Sequence, residues 1–242
     1  MASGAAGPLA GSGSGSAVLV HGAWGGPQDW HWVRRLLQDA GVRVHTPDLP
    51  SHRGPDAGLP EDAEHVRAVL RAASPPVVLV GFSWGGDVIG VASHGEEGVR
   101  HLLHVASCPR AAGSAGLGTG WIEQHEHIAL TGRGTSLLDD EWWLEQEVGT
   151  TFPAHVREHL RRHPRRPASV RIDTDAQEGP AGWESTPTTV LLGRDDPLVG
   201  ARQRAEAAQR CADVRVLEGD HFLIWRAPEQ VAAVVLEALR GG

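Results

Sequence analysis

Short apolar runs alternate with amphipathic stretches over most of the chain. Ala17–Val20 is a continuous apolar run stopped by His21-Gly22 and reads as a buried strand. Gln28–Ala40 carries Trp32, Val33, Leu36 and Leu37 at helical spacing and stops at Gly41. Val42–His45 is strand-like, and Glu61–Ala72 has a helical stripe of Val66, Val69 and Leu70. Val77–Val80 is an unbroken run of valine and leucine, as expected of a parallel strand covered on both faces. Trp84–Ser93 restarts as helix and Leu102–Ala106 as strand. The alternation then breaks over 110–185, where glycine clusters, histidines, tryptophans and arginines gather, with helical pieces at Leu137–Glu147 and Ala154–His163. It resumes with a strand at Thr188–Leu192, a helix at Ala201–Cys211, a strand at Val214–Leu217 and a closing helix at Pro228–Arg240 that has proline at its start.

This series predicts an α/β fold: a doubly wound, mostly parallel sheet interrupted once by an insertion. The core is expected over 17–109 and 186–242, with a helical cap over 110–185. Residues 1–16 are small, end in a Gly/Ser alternation and lack a charged or apolar leader pattern, so they read as a disordered tail and not as a secretory signal.

Ligands on such sheets sit at the carboxyl ends of the strands. After Val77–Val80 comes Gly81-Phe82-Ser83-Trp84-Gly85-Gly86, a serine with glycines two residues to either side. At a sharp strand-to-helix turn this spacing strains the serine backbone, and only glycine lets strand and helix approach that closely. At this glycine and serine content the pattern arises by chance roughly 0.2 times, so its placement between strand and helix carries the weight. After Ala17–Val20 comes His21-Gly22-Ala23-Trp24-Gly25-Gly26. Acyl transfer needs two backbone N–H donors for the carbonyl oxygen, and Ala23 and Trp84 are the candidates for that oxyanion hole. After the two later strands come Gly193-Arg194-Asp195-Asp196-Pro197 and Glu218-Gly219-Asp220-His221. A serine nucleophile needs a base, and the base needs an acid to fix its tautomer. Ser83, an aspartate at 195 or 196, and His221 occur in that order, each just past a separate strand.

With these residues the sequence resembles the α/β-hydrolase superfamily from about 17 to 240. The stretch Val20-His21-Gly22-Ala23-Trp24-Gly25-Gly26, with Trp30, Trp32 and Pro47-Asp48-Leu49-Pro50 following, is similar to small esterases related to plant methyl-salicylate esterases and hydroxynitrile lyases. The resemblance implies Ser83 as nucleophile and His221 as base. The family's Gly-x-x-Asp motif implies Asp196 over Asp195 as the acid. It also implies that 110–185 covers the site as a cap. Phe82 stands where many members have histidine, and the lysine on which lyase members rely has no counterpart.

Composition narrows the chemistry. The net charge of −8 argues against a nucleic-acid partner and against an anionic membrane surface. All 22 basic residues are arginine, so Schiff-base chemistry is excluded. The absence of lysine, asparagine and tyrosine reads as the codon bias of a GC-rich, bacterial genome. Cys108 and Cys211 have no CxxC spacing and read as reduced thiols of a cytoplasmic protein. His155, His159 and His163 share a helix face but lack a further ligand, with Arg157, Arg161 and Arg162 nearby; a solvated face is the better reading. His125-Glu126-His127 lacks the rest of a binuclear motif. No cofactor is expected. Trp24 is a candidate to line a substrate pocket, and Trp121, Trp142, Trp143 and Trp183 in the insertion are candidates either to join that lining or to pack the cap onto the core.

The resulting expectation is a cofactor-free serine hydrolase for a small or medium apolar carboxylic ester or lactone. Thioesterase, acyltransferase or cyclase action within a biosynthetic pathway, lyase chemistry, and non-catalytic ligand binding stand beside it. The sequence does not indicate an oligomeric state.

Overall fold

In the computed structural model, residues 15–114, 122 and 124–241 are described. The strands are β1 (Ser16–Val20), β2 (Arg43–His45), β3 (Val77–Phe82) and β4 (Val99–Val105). Then come β5 (Ile128–Thr131), β6 (Thr135–Leu138) and β7 (Ala168–Ser169) in the insertion, and β8 (Thr188–Gly193) and β9 (Asp213–Leu217). The helices used below are α1 (His31–Asp39), α2 (Leu59–Ala72), α3 (Trp84–Ala92), α4 (Ala154–Arg162), α5 (Arg171–Thr174), α6 (Ala201–Arg210), α7 (Leu223–Arg226) and α8 (Pro228–Arg240).

Among the described residues the main sheet is six-stranded and parallel throughout, in the order β2-β1-β3-β4-β8-β9. The chain steps from β1 outward to β2, then crosses back to β3 on the other side of β1. Strand order therefore reverses between β1 and β3, which opens a crevice at their carboxyl ends. Successive side chains of a strand point to opposite faces. Accordingly Ala17, Leu19, Val78, Val80, Leu103 and Val105 join one core, shared with Val33 and Leu37 of α1 and Val231 and Val235 of α8. Val18, Val20, Val77, Leu79 and Leu102 join the other, shared with Val66 and Leu70 of α2 and Val88 and Ile89 of α3. Both faces are covered, which is why the strands read as unbroken apolar runs.

β1 begins at Ser16, one residue before the expected start. Ser16 is buried and its hydroxyl donates to the Ser74 carbonyl at 2.8 Å, so the predicted tail at 1–16 runs into the sheet. Residues 1–14 lie outside the described residues.

The insertion is the larger correction. It was expected to be helical, yet it holds a three-stranded antiparallel sheet in the order β5-β6-β7, beside α4 and a π-helical turn at Trp142–Gln146. Leu137 and Leu138, expected to open a helix, end β6 instead. Thr131-Gly132-Arg133-Gly134-Thr135 between two short β-prone runs is a hairpin signal, and Gly134 takes a left-handed φ of 73° there.

A buried ion pair fastens this insertion to the core. Arg165, 8% exposed, donates to both carboxylate oxygens of Asp29, 1% exposed, at 2.8 and 3.2 Å. Its guanidinium lies over the rings of Trp143 and Trp225, with centroids 5.2 and 5.6 Å away. Asp29 also accepts from the Gly26 N–H at 3.1 Å, so the same carboxylate shapes the loop after β1. Removing one member of a buried pair leaves the other charge uncompensated. Arg165→Ala should therefore lower the unfolding free energy by about 3–5 kcal/mol in urea titrations. Asp29→Asn combined with Arg165→Met should lose less than the single variant. A single-variant loss under about 1 kcal/mol would mean that the pair does not anchor the insertion.

Candidate active site

The turn after β3 is tightly constrained by close backbone approaches. A methyl group on Gly81 would lie 2.3 Å from the Gly85 carbonyl oxygen, and one on Gly85 would lie 2.3 Å from the Val20 carbonyl oxygen. Glycine at both positions lets β3, α3 and the end of β1 pack this closely. Between them Ser83 is held at φ 50°, ψ −120°, its N–H donating to the Val105 carbonyl at 3.0 Å. Among the described residues, the non-glycine residues at left-handed φ are Trp24 (55°), Ser83 (50°) and Ala106 (50°), and all three border one cavity of about 560 Å³. Strained backbone of this kind costs about 1–3 kcal/mol per residue and gathers at functional sites.

His221 borders the same cavity. Its loop is brought beside the loop after β8 by another close approach: a methyl on Gly193 would lie 2.2 Å from the Asp220 carbonyl oxygen. The Arg194 and Asp195 N–H groups donate to the carbonyls of Leu217 and Gly219 at 2.8 and 2.9 Å. In this arrangement Asp195 is exposed and Asp196 is buried. His221 Nδ1–H donates to Asp196 Oδ2 at 2.9 Å, while Asp196 Oδ1 accepts from the Leu198 and Val199 N–H groups at 2.8 and 3.3 Å. The carboxylate is thus fixed by the backbone, and a proton on Nδ1 leaves Nε2 as the basic nitrogen. Asp220 is turned elsewhere, onto the Phe222 N–H and the Arg226 guanidinium.

Ala23 and Trp84 also line the cavity. Trp84 opens α3, where the first N–H groups have no intrahelical acceptor. Its indole N–H donates to Asp62 Oδ2 at 3.0 Å, and Asp62 further accepts from the Ser51 hydroxyl and N–H at 2.6 and 2.9 Å. Burial raises the Asp62 carboxyl above its ordinary value. At the head of the Ala23 loop, burial lowers the His21 pKa to about 4, so the ring is neutral. The Leu49 N–H donates to its Nε2 at 3.2 Å, leaving Nδ1–H to donate to the Gly22 carbonyl at 2.9 Å. Arg166 secures the other end: its N–H donates to the Trp24 carbonyl at 2.8 Å and its Nε–H to the Gly25 carbonyl at 2.9 Å.

The tryptophans divide. Trp24 lines the cavity, its indole N–H donating to Ser136 Oγ at 3.1 Å. Trp142 and Trp143, proposed as pocket lining, are not among the lining residues. Trp142 stacks on His127 with ring centroids 4.0 Å apart. Trp143 is buried in an aromatic cluster with Phe152, Phe222 and Trp225. Adjacent residues on a helical turn face different directions, so the two cannot share a wall. Trp183 packs the cap side, its N–H donating to the Arg110 carbonyl at 2.9 Å. Trp121 lies outside the described residues. The apolar lining instead comes from residues such as Ile172, Leu198 and Val199. On α4, His155 is exposed but His159 is not solvated as expected: it packs on Trp32 and His31 and reaches the Gln28 carbonyl at 3.0 Å. Among the described residues no group of histidine, cysteine and acidic side chains could hold a metal ion.

Sequence reasoning passed over the polar wall of the cavity. Asp87 on α3 pairs with Arg110 at 2.8 Å, and Asp173 on α5 borders the same space. Burial pushes the Asp173 carboxyl up to about 7, with Arg110 pulling it down and Asp87 adding to the rise. Cys108, also on the wall, is pushed up to about 12 by burial and is an inert thiol.

The profile of the alpha/beta hydrolase family matches residues 17–234. A pimeloyl-[acyl-carrier protein] methyl ester esterase of Xanthomonas campestris is 30% identical over 237 residues, covering 89% of this chain and 91% of that protein. A pyrethroid hydrolase of Sphingobium wenxiniae is 34% identical over 103 residues, which is 40% of this chain and 37% of that protein. The crystal structure of a pyrethroid hydrolase from Sphingobium faniae superposes with a TM-score of 0.75 at 19% identity, covering 94% of this chain and 98% of that one. A methylesterase from Arabidopsis superposes at 0.72 with 20% identity, covering 93% and 99%. At these identities the two structures share the fold with this chain. Among the described residues, no helix is long and apolar enough to cross a membrane.

The elevated Asp173 pKa has a consequence for stability. A carboxyl raised in the folded state binds its proton more tightly there than in the unfolded chain. Its contribution therefore falls as pH rises from the unfolded value near 4 through about 7. Asp173→Asn removes that dependence. Its stability relative to the parent should climb between pH 5 and pH 8, by an amount on the order of a few kcal/mol at most. Urea midpoints at the two pH values test this, and an unchanged difference would show that the carboxyl is not perturbed.

Proposed function

The chain belongs to the alpha/beta hydrolase family, and from that premise we propose that it is a serine hydrolase cleaving a small or medium, largely apolar carboxylic ester or lactone through an acyl-enzyme. The observation that most supports this reading is the strained Ser83 facing the same cavity as the His221–Asp196 pair. A relative named as a methyl ester esterase, matched along nearly all of its length, and one named as a hydrolase support the same reaction class.

In this scheme Ser83 Oγ attacks the carbonyl carbon as its proton passes to His221 Nε2. That transfer requires the two atoms to come within hydrogen-bond reach in the substrate complex. Asp196 holds the ring in the Nδ1–H tautomer and stabilises the imidazolium. The N–H groups of Ala23 and Trp84 receive the charge that develops on the carbonyl oxygen. His221 then protonates the leaving alkoxide, the acyl group remains on Ser83, and water deprotonated by His221 releases the acid. The Asp62 bonds steady Trp84, and the Arg166 and Asp29 bonds steady the Ala23 loop, so both donors are positioned before substrate arrives.

Ser83→Ala should reduce kcat by several orders of magnitude, roughly 10³ to 10⁶-fold, and abolish labelling by a fluorophosphonate probe. Asp196→Asn should cost roughly 10³ to 10⁴-fold, by favouring the wrong tautomer. Asp195→Asn, at an exposed position, should stay within about twofold. Retained labelling of Ser83→Ala, or a loss at Asp195 as large as at Asp196, would overturn the assignment.

A further inference from the structure

The cavity holding Ser83 and His221 also contains a carboxyl that this chemistry does not use. Asp173 is 8% exposed and borders the cavity. Its Oδ2 is buried and has no hydrogen-bond partner among the described residues. Leaving a buried acceptor unsatisfied costs about 1–3 kcal/mol, and an orphan of this kind in a folded protein calls for an explanation. Nearby charges do not supply one. Arg110 Nε lies 2.8 Å from Asp87 Oδ1 as an ion pair, and Asp87 is itself a carboxylate neighbour of Asp173. The rest of the wall mixes apolar residues, including Trp24, Ile172, Leu198 and Val199, with polar ones such as Ser107, Gln203 and Glu206. A few convergent polar groups beside apolar surface are the usual form of a selective binding site.

Resting on the esterase reading, we propose that Asp173 is a specificity residue whose carboxyl accepts a hydrogen bond from a hydroxyl group of the substrate. The preferred ester or lactone is then an otherwise apolar molecule hydroxylated away from the scissile carbonyl. A hydroxyl fits better than an ammonium group, because a hydroxyl can donate to the carboxyl in either protonation state, while an ammonium group pairs with the ionised form. A site with a buried acceptor rejects the analogue lacking the donor, because the acceptor stays unpaired.

The test uses one ester without a hydroxyl and a matched series in which a single hydroxyl is moved carbon by carbon, first along the acyl chain and then along the alcohol. In the parent protein one hydroxyl position should raise kcat/KM about tenfold or more over the unsubstituted ester. In Asp173→Ala that advantage should shrink to within about twofold. In Asp173→Asn, where a carbonyl oxygen still accepts, most of it should remain. Both substitutions remove an unsatisfied buried carboxyl, so the variants should fold. Binding of the same series to Ser83→Ala and to Ser83→Ala/Asp173→Ala by titration calorimetry gives the comparison without turnover. A preference absent at every position, or one that survives intact in Asp173→Ala, overturns the proposal. Undiminished hydrolysis by Ser83→Ala would instead overturn the esterase reading, while the calorimetric comparison would still decide the role of Asp173.

Discussion

The arrangement depends on how closely the end of β1 can approach the start of α3. A Cβ on Gly85 would come within 2.3 Å of the Val20 carbonyl oxygen, so this contact exists only because that residue is glycine. The approach turns the chain sharply enough to hold Ser83 at positive φ, and the parallel pairing of β1 with β3 places the Ala23 loop beside it. The strain at Ser83 persists because cores on both faces of the sheet over-determine the backbone around it. The crevice where strand order reverses and the strained turn are therefore one feature seen at two scales.

A second constraint acts from outside the sheet. The insertion is tied to the core through the arginine pair Arg165 and Arg166. One guanidinium is buried on Asp29, and the other spans the carbonyl of Gly25 and the carboxylate of Asp48. Both therefore act on the loop that follows β1. The insertion that contributes Ile172 and Asp173 to the cavity wall thus also holds the loop proposed to bind the oxyanion. The cavity itself is electrostatically uneven. Asp196 is satisfied by His221 and two backbone N–H groups, whereas Asp173 on the cavity wall carries a buried oxygen with no partner among the described residues. That contrast separates a carboxylate held in place by the fold from one that is not.

What could be read along the chain was what depends on local order. The unbroken run at Val77–Val80 required burial on both faces, and the glycines around Ser83 required a tight turn, so both were legible from spacing alone. The closing helix Pro228–Arg240 was legible to the residue, because proline and Gly241 mark its ends. Which of packing and lining Trp142 and Trp143 would do was not legible, because adjacent aromatic residues in a helical turn look alike in sequence and part company in space. The insertion was read as helical because its charged and aromatic stretches mask the short hairpin of β5 and β6. Asp173 gave no signal, since an acid in the run Arg171-Ile172-Asp173-Thr174-Asp175 looks like any solvated residue until its burial is known.

The sequence by itself determined the strand and helix alternation, the sharp turn at Ser83 and the order of the serine, acid and histidine. These follow from side-chain periodicity and from where glycine is tolerated, which are properties of neighbouring residues. Tertiary structure alone decided that Asp196 and not Asp195 meets His221, because that depends on Gly193 admitting the Asp220 backbone between two loops distant in the chain. It alone decided that Arg165 is buried on Asp29 and that Asp173 lacks a partner. The free energy of a charge is set by what surrounds it in three dimensions, and one-dimensional order does not specify those surroundings.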